Sequence, residues 1–193
     1  MKNLDPVVFR LWRDLVSEPN LPFLDTWLSR RVPEAKGLSH AQRLHVGARI
    51  RDAVKLQYWV ALVAFAADQP QVPVNSLGKC FEAKCPDPHS LSAFLQGIAP
   101  RRFFEILAAR NMKTPDSSLL SAVKRVRAAT QVFPYLLAWE GVPLWHRPII
   151  EHRVRLSSWS REEVQAFARR MLQPAPLWIR CNDPSSNATV IAD

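Results

Sequence analysis

The sequence predicts an all-helical bundle of about seven or eight helices that ends in a single strand. Apolar residues recur at intervals of three and four along most of the 193 residues, as they do on the buried face of a helix. Many of the 16 prolines fall between these periodic segments, where proline starts or stops helices. Only 5 glycines occur, which argues against a doubly wound nucleotide-binding fold, because that fold needs glycine at its strand-to-helix turns.

Two short helices are predicted at the N-terminus. Asp5 is placed to cap the first helix, and Pro6 stands at its first position, where the missing N–H costs nothing. The second helix is predicted near residues 21–31, and Pro33 and Gly37 are expected to end it.

A long central helix is the strongest element that the pattern predicts. Ser39 followed by Gln42 is a capping-box pattern, and an apolar repeat continues from there to Ala67. The first half of this segment is polar and basic on one face, whereas the second half is apolar nearly all round. We therefore expect the second half to lie at the centre of the bundle and the first half to expose a basic face.

The remaining predicted elements are shorter. The pattern predicts helices at residues 75–84, 90–98, 101–111 and 116–129. Residues 133–150 are irregular but rich in large apolar side chains. Ser160 and Glu163 form a second capping-box pattern, which predicts a helix that ends before Pro174. Residues 176–182 then predict the final strand.

Composition indicates the charge of the partner and the cellular compartment of the chain. Lys and Arg number 26 and Asp and Glu number 17, so the net charge is +9, which favours a polyanionic partner. The 3 cysteines are too few for a disulfide framework and fit a reducing cytoplasm. The longest apolar stretch is far shorter than the roughly 20 residues that a membrane helix needs. We therefore expect a cytoplasmic protein that has no membrane partner.

The sequence contains no recognisable catalytic motif, cofactor loop or metal-ligand pattern. His40 and His45 are five residues apart, which does not place them on one helix face, and Cys80 and Cys85 have no second pair at zinc-binding spacing. The glycines are isolated, so no Walker or Rossmann fingerprint occurs. We predict no catalytic, cofactor-binding or metal-binding residue in this chain.

Basic residues are concentrated in a few stretches, and these provide the candidate RNA-binding residues. The candidates are Arg43, Arg49, Arg51, Lys55, Lys124, Arg125 and Arg180. Aromatic rings near basic stretches could stack on unpaired bases. These rings are Phe103, Phe104, Trp145 and Trp159. A place in the core is the commoner role for each ring, and a solvated surface is the alternative role for the charges.

The segment from Gln173 to Asn182 has the sequence QPAPLWIRCN. It resembles the segment of the Sun/RsmB family of RNA cytosine-5 methyltransferases that joins the helical N-terminal domain to the catalytic part. In that family a helix ends at a polar residue and a proline pair, and a strand of alternating apolar residues with Trp, Arg and Asn follows. The start of the long helix, from Ser39 to Leu44, resembles the opening of the central helix in the family's NusB-like domain.

The resemblance implies two regions. Residues 1–156 would form a NusB-like RNA-binding bundle, and residues 157–193 would start a small α/β linker domain that leads to a catalytic domain absent from this chain. The catalytic domain would bind S-adenosylmethionine through a glycine-rich loop and use a cysteine in a Pro-Cys motif. Neither feature occurs in this sequence, so no catalytic residue of the family is assigned to it. The implied partners are RNA, in particular rRNA, and the catalytic domain in cis.

The predicted strand places Trp178 and Arg180 on one face. Arg180 would then face RNA or a neighbouring domain, or form a cation–π pair with Trp178 at the domain junction.

Two functions are consistent with these features. The first is the RNA-binding, substrate-positioning region of an S-adenosylmethionine-dependent rRNA cytosine-5 methyltransferase. The alternative is a non-catalytic helical module that binds another protein through a Trp-rich surface near residues 133–145. The sequence supports a free-standing enzyme less well than either, because it has no catalytic motif.

Overall fold

A computed structural model describes residues 4–18, 23–110, 117–131 and 134–171. The helices are α1 (Asp5–Val16), α2 (Leu24–Glu34), α3 (His40–Asp68), α4 (Val74–Lys84), α5 (Pro88–Gln96), α6 (Pro100–Ala109), α7 (Ser117–Ala129), α8 (Leu136–Trp139), α9 (Arg147–Ser157) and α10 (Arg161–Met171), with one 3₁₀ turn at Leu144–His146. The described residues contain no strand, so the all-helical prediction is confirmed for them. The strand predicted at residues 176–182 lies outside the described residues.

The start of α3 matches the predicted capping box. Ser39 occupies the N-cap position, and its hydroxyl accepts a hydrogen bond from the backbone N–H of Gln42 at 3.3 Å. The Gln42 side chain in turn accepts from the backbone N–H of Ser39 at 2.9 Å. Two backbone N–H groups that the helix leaves without partners are satisfied in this way.

The second half of α3 is the centre of the main core, as the apolar pattern predicts. Its buried residues are Tyr58, Trp59, Val60, Ala61, Leu62, Val63, Ala64 and Ala66. Helices α1, α2 and α4–α8 pack around α3. Tyr58 lies edge-on to Phe81 with ring centroids 5.2 Å apart, and Trp12 of α1 contacts Phe103 of α6 with centroids 4.1 Å apart. Burying each such side chain contributes about 1.5–3 kcal/mol, so these rings contribute strongly to fixing the bundle.

Two details at helix ends differ from the sequence prediction. Leu4, and not Asp5, is the N-cap of α1, and the Asp5 carboxylate accepts a hydrogen bond from Arg49 of α3. Pro33 lies inside the last turn of α2, which continues to Glu34. Local sequence patterns locate helix ends only to within one or two residues. Arg49, the partner of Asp5, is 44 positions away in the chain, so no local pattern indicates that contact.

Helix α9 is missing from the sequence prediction. Its inner side consists of Ile150, which is buried, and Val154, which is half-buried, whereas Ile149 and Leu156 are 71% and 67% exposed. Since apolar residues occur on both sides of this helix, no clear amphipathic stripe forms and the periodicity is lost.

A second, smaller core joins α8, α9 and α10. Its buried members are Leu137, Val142, Ile150, Val164 and Ala168, and the half-buried rings of Trp159 and Phe167 pack against them. The predicted domain boundary after residue 156 falls before the last residue of α9, and α9 and α10 both contribute to this core.

Candidate nucleic-acid interface

The first half of α3 exposes three of the predicted RNA-binding residues on one side. Arg43 and Arg51 are exposed and Lys55 is half-buried, whereas Val46 and Ile50 face the core. At 100° per residue, the three cationic residues lie within about 120° of the helix circumference. We call Arg43, Arg51 and Lys55 the α3 basic face.

Arg51 pairs with Asp25 and packs closely over Gly47, which has no side chain. Its guanidinium lies 3.0 Å from the carboxylate of Asp25 on α2, and a Cβ added to Gly47 would lie 3.3 Å from its Nη1 atom. The side chains of Arg51 and Asp25 are 45% and 84% exposed, so water screens the ion pair, which contributes no more than about 1 kcal/mol. A phosphate can therefore replace Asp25 at a small cost.

Arg49 has a different role from the α3 basic face. Its guanidinium pairs with Asp5 of α1 and lies over the ring of Phe104 in α6, with 5.2 Å from Cζ to the ring centroid. The side chain is 31% exposed. These contacts connect three helices, so Arg49 is engaged within the protein.

Lys124 and Arg125 lie far from the α3 basic face. The guanidinium of Arg125 donates hydrogen bonds to the carbonyls of Ala66, Gln69 and Val72, at the C-terminal end of α3 and in the loop after it. Ala66 is 11 residues after Lys55, the nearest member of that face, which corresponds to about 16 Å along the helix. Lys124 is exposed at this distant end. Arg180, the last predicted residue, lies outside the described residues.

The aromatic rings considered for base stacking pack inside the protein. Phe103 and Phe104 are buried. Trp145 packs edge-on against Tyr58 with centroids 5.5 Å apart, and Trp159 packs against Phe167 with centroids 5.0 Å apart. The core interpretation therefore holds for these rings.

A second basic surface lies on α9. His152, Arg153 and Arg155 are exposed there, beside the exposed side chains of Ile149 and Leu156. The sequence shows a basic stretch at these positions but not that it is a helix. We call these five residues the α9 surface.

A buried polar cluster around Glu140 has no signal in the sequence. Glu140 is 5% exposed, and its carboxylate accepts hydrogen bonds from Gln165 at 3.0 Å and from Arg169 at 3.2 Å. Arg110 donates to the other carboxylate oxygen at 3.4 Å and to the carbonyl of Trp139 at 2.7 Å.

The same guanidinium of Arg110 lies 5.2 Å from the centre of the Trp59 ring and 5.5 Å from that of Trp139. Burial lowers the pKa of Arg110, and the charge of Glu140 opposes that shift. Because two of the donors to the Glu140 carboxylate belong to α10, the cluster holds α10 to the residue that follows α8.

Metal-ligating side chains and cysteines are the remaining candidates for a chemical site in the described part of the structure. No group of three or more His, Cys, Asp or Glu side chains there is arranged to hold a metal ion. Cys80 is exposed, whereas Cys85 is buried, and burial raises the pKa of the Cys85 thiol to about 11. Cys85 is therefore a thiol at neutral pH, which is a poor nucleophile.

Within residues 4–18, 23–110, 117–131 and 134–171, no helix combines the length and apolar composition needed to cross a membrane. Comparison with family models, curated proteins and solved structures found no match to the chain.

Proposed function

We propose that this chain is a non-catalytic RNA-binding domain. The observation that carries the proposal is the α3 basic face. Two of its members, Arg43 and Lys55, have no carboxylate partner among the described residues, and the third, Arg51, has only a solvent-exposed one. Cations on the solvent side of a rigid helix can contact successive phosphates, and binding gains free energy from the release of counterions.

The fuller form of the proposal comes from the resemblance of residues 173–182. In this form the helical chain is NusB-like and positions rRNA for an S-adenosylmethionine-dependent cytosine-5 methyltransferase domain in cis. The isolated glycines of this chain offer no loop for that cofactor, so its binding and the methyl transfer belong to the catalytic domain. The role of this chain's residues is to hold the RNA backbone.

The test is a filter-binding titration of the full chain against labelled rRNA stem-loop fragments at several salt concentrations. We expect affinity to fall linearly with salt on a double-logarithmic plot. The Arg51→Ala/Lys55→Ala variant should bind more weakly, and its salt slope should fall by about one for each phosphate that the missing cations no longer neutralise.

The matched control is Arg153→Ala/Arg155→Ala, which removes the same charge from α9. If both double variants lose equal affinity, binding reflects net charge and not the α3 basic face. An absence of binding at low salt would contradict the RNA-binding proposal altogether.

The α9 surface favours a second function, which is binding to an acidic protein segment. Ile149 and Leu156 are seven residues apart and therefore on the same side of α9, with basic residues between them. Like charges disfavour pairing with a second copy, so the partner that fits carries apolar residues flanked by carboxylates. Because Trp139 and Trp145 pack against Trp59 and Tyr58, we place the interface on α9 instead of the predicted Trp-rich segment.

A labelled amphipathic peptide with leucines and glutamates at helical spacing tests this second function by fluorescence anisotropy. We expect Ile149→Ser/Leu156→Ser to abolish binding and Arg51→Ala/Lys55→Ala to leave it intact. Equal effects of the two variants would contradict an interface on α9.

A further inference from the structure

The most exposed large apolar side chain of the described residues is Phe23, which is 90% exposed. It is also the only Phe, Tyr or Trp among residues 4–18, 23–110, 117–131 and 134–171 that is exposed, since the others are buried or half-buried. A phenylalanine ring left in water forgoes the hydrophobic stabilisation that a core position would provide. A ring held in this way is available to a ligand.

The backbone that presents Phe23 is well supported. Phe23 is the N-cap of α2, and its carbonyl accepts a hydrogen bond from the backbone N–H of Trp27 at 2.9 Å. The side chains of Trp27 and Leu28 are buried, and the Trp27 indole donates to Glu18 at 3.0 Å. The start of α2 is therefore fixed to the body of the protein.

Phe23 also lies near Arg51, a member of the α3 basic face. Asp25, two residues later, accepts a hydrogen bond from the guanidinium of Arg51 at 3.0 Å. Two residues of chain span at most about 7 Å, so the backbone of Phe23 is close to the Arg51 contact. An exposed ring and the exposed guanidinium of Arg51 thus lie near the start of the same helix, α2.

We propose that Phe23 is a stacking platform for an unpaired base, so that the α3 basic face binds a single-stranded segment of RNA. This inference rests on the proposed RNA-binding function and adds the class of substrate. Single-strand sites combine cations that follow the backbone with rings on which bases stack. In a duplex the bases are stacked on each other, and Phe23 would contact none of them.

The experiment compares two fluorescein-labelled probes, a 12-nucleotide oligouridylate and a 12-base-pair RNA duplex, with the full chain. We expect Phe23→Ala to weaken binding of the single strand by about 5- to 100-fold, the usual effect of losing one stacked base, and to leave duplex binding unchanged. Leu44→Ala is the matched control, because Leu44 is 61% exposed and lies next to Arg43 on α3.

Conservative variants separate stacking from apolar contact. Phe23→Tyr and Phe23→Trp should keep the affinity for the oligouridylate, whereas Phe23→Leu should lose it. The indole of Phe23→Trp should also be quenched by the oligouridylate more than the native tryptophans of the unmodified chain are. Because residue 23 is exposed, each variant should keep the wild-type melting temperature.

Each outcome has one meaning. Full affinity of Phe23→Leu, or equal losses on both probes, overturns base stacking and leaves RNA binding in place. Binding of the acidic peptide that is reduced by Phe23→Ala, with RNA binding unchanged, assigns the ring to a protein partner and overturns the inference. If the unmodified chain binds neither RNA, the proposed function itself fails and this inference fails with it.

Discussion

Arginine residues of this chain have two distinct roles, and only their contacts separate them. Arg49 and Arg125 belong to the basic stretches that suggest an RNA interface, yet each guanidinium is engaged by groups of other helices or loops. Arg51 resembles them in sequence context but points to solvent beside a weakly held carboxylate. Charge patterning therefore predicts that an interface exists, but not which cations remain available to a ligand.

The role of Arg125 leads to a stability prediction. Arg125→Lys should lower the free energy of unfolding by about 2 kcal/mol, because a single ammonium cannot reach three carbonyls that a planar guanidinium reaches together. Urea unfolding monitored by circular dichroism measures the loss. The neighbouring exposed residue provides the control, since Lys124→Arg should change stability by less than about 0.5 kcal/mol. Equal stability of Arg125→Lys and the wild type would show that the carbonyls find other partners.

For individual helices, the accuracy of the sequence prediction depends on how close together in the chain the residues that determine each helix are. The start of α3 is set by Ser39 and Gln42, which are three residues apart, and it is predicted correctly. Helix α5 begins at Pro88, two residues before the predicted start, because Asp87 and Ser90 form a capping box that the sequence prediction did not use. Helix α9 depends on burial of Ile150 against α8 and α10, and no local pattern encodes that contact.

The attachment of α10 gives a prediction at this scale. Gln165 and Arg169 are its two donors to Glu140, and Val164 and Ala168 are its buried apolar residues. In the Gln165→Ala/Arg169→Ala variant, α10 should open locally. Amide hydrogen exchange in residues 161–171 should then accelerate by about tenfold or more, because a hydrogen bond to a charged group is worth roughly 1.5–3 kcal/mol.

Two comparisons make the α10 prediction specific. Exchange in the second half of α3 should stay at the wild-type rate, since Glu140 keeps its ion pair with Arg110. The control Arg170→Ala removes the adjacent exposed arginine and should leave α10 protected. A uniform acceleration across the chain would indicate global destabilisation and would contradict a local attachment.

For the whole molecule, the all-helical class is predictable because periodicity is summed over many residues, whereas the candidate site is predictable only in part. The α3 basic face follows from the change of pattern within one helix. The exposure of Phe23 cannot be predicted in this way. No local pattern indicates that its ring is exposed to solvent while that of Trp27, four residues later, is buried. The cluster at Glu140 joins it to residues 25 to 30 positions away in the chain, so local patterns do not predict it either.

Tyr58 and Cys85 are buried weak acids of the core, and their raised pKa values affect how the stability of the molecule depends on alkaline pH. Burial raises the pKa of Tyr58 above its ordinary value of 10.0, and burial raises that of Cys85 from 9.0 to about 11. The folded protein therefore keeps protons that the unfolded chain releases. The stabilisation is fully present below pH 9 and is lost as the pH rises through the folded pKa values.

Between pH 9 and pH 10 the contribution of Cys85 exceeds that of Tyr58, because the unfolded thiol has the lower pKa, 9.0 against 10.0, and comparison with Cys85→Ala separates the two. With a pKa of 9.0 in the unfolded chain and about 11 in the folded protein, Cys85 should remove roughly 1 kcal/mol of unfolding free energy over that interval. Cys85→Ala should be less stable at neutral pH, because it leaves a small cavity, but it should lose less stability than the wild type from pH 9 to pH 10. Cys80→Ala, which alters the exposed thiol, should keep the wild-type slope. Urea midpoints across this range provide the measurement, and identical slopes for Cys85→Ala and the wild type would mean that the buried thiol does not keep its proton.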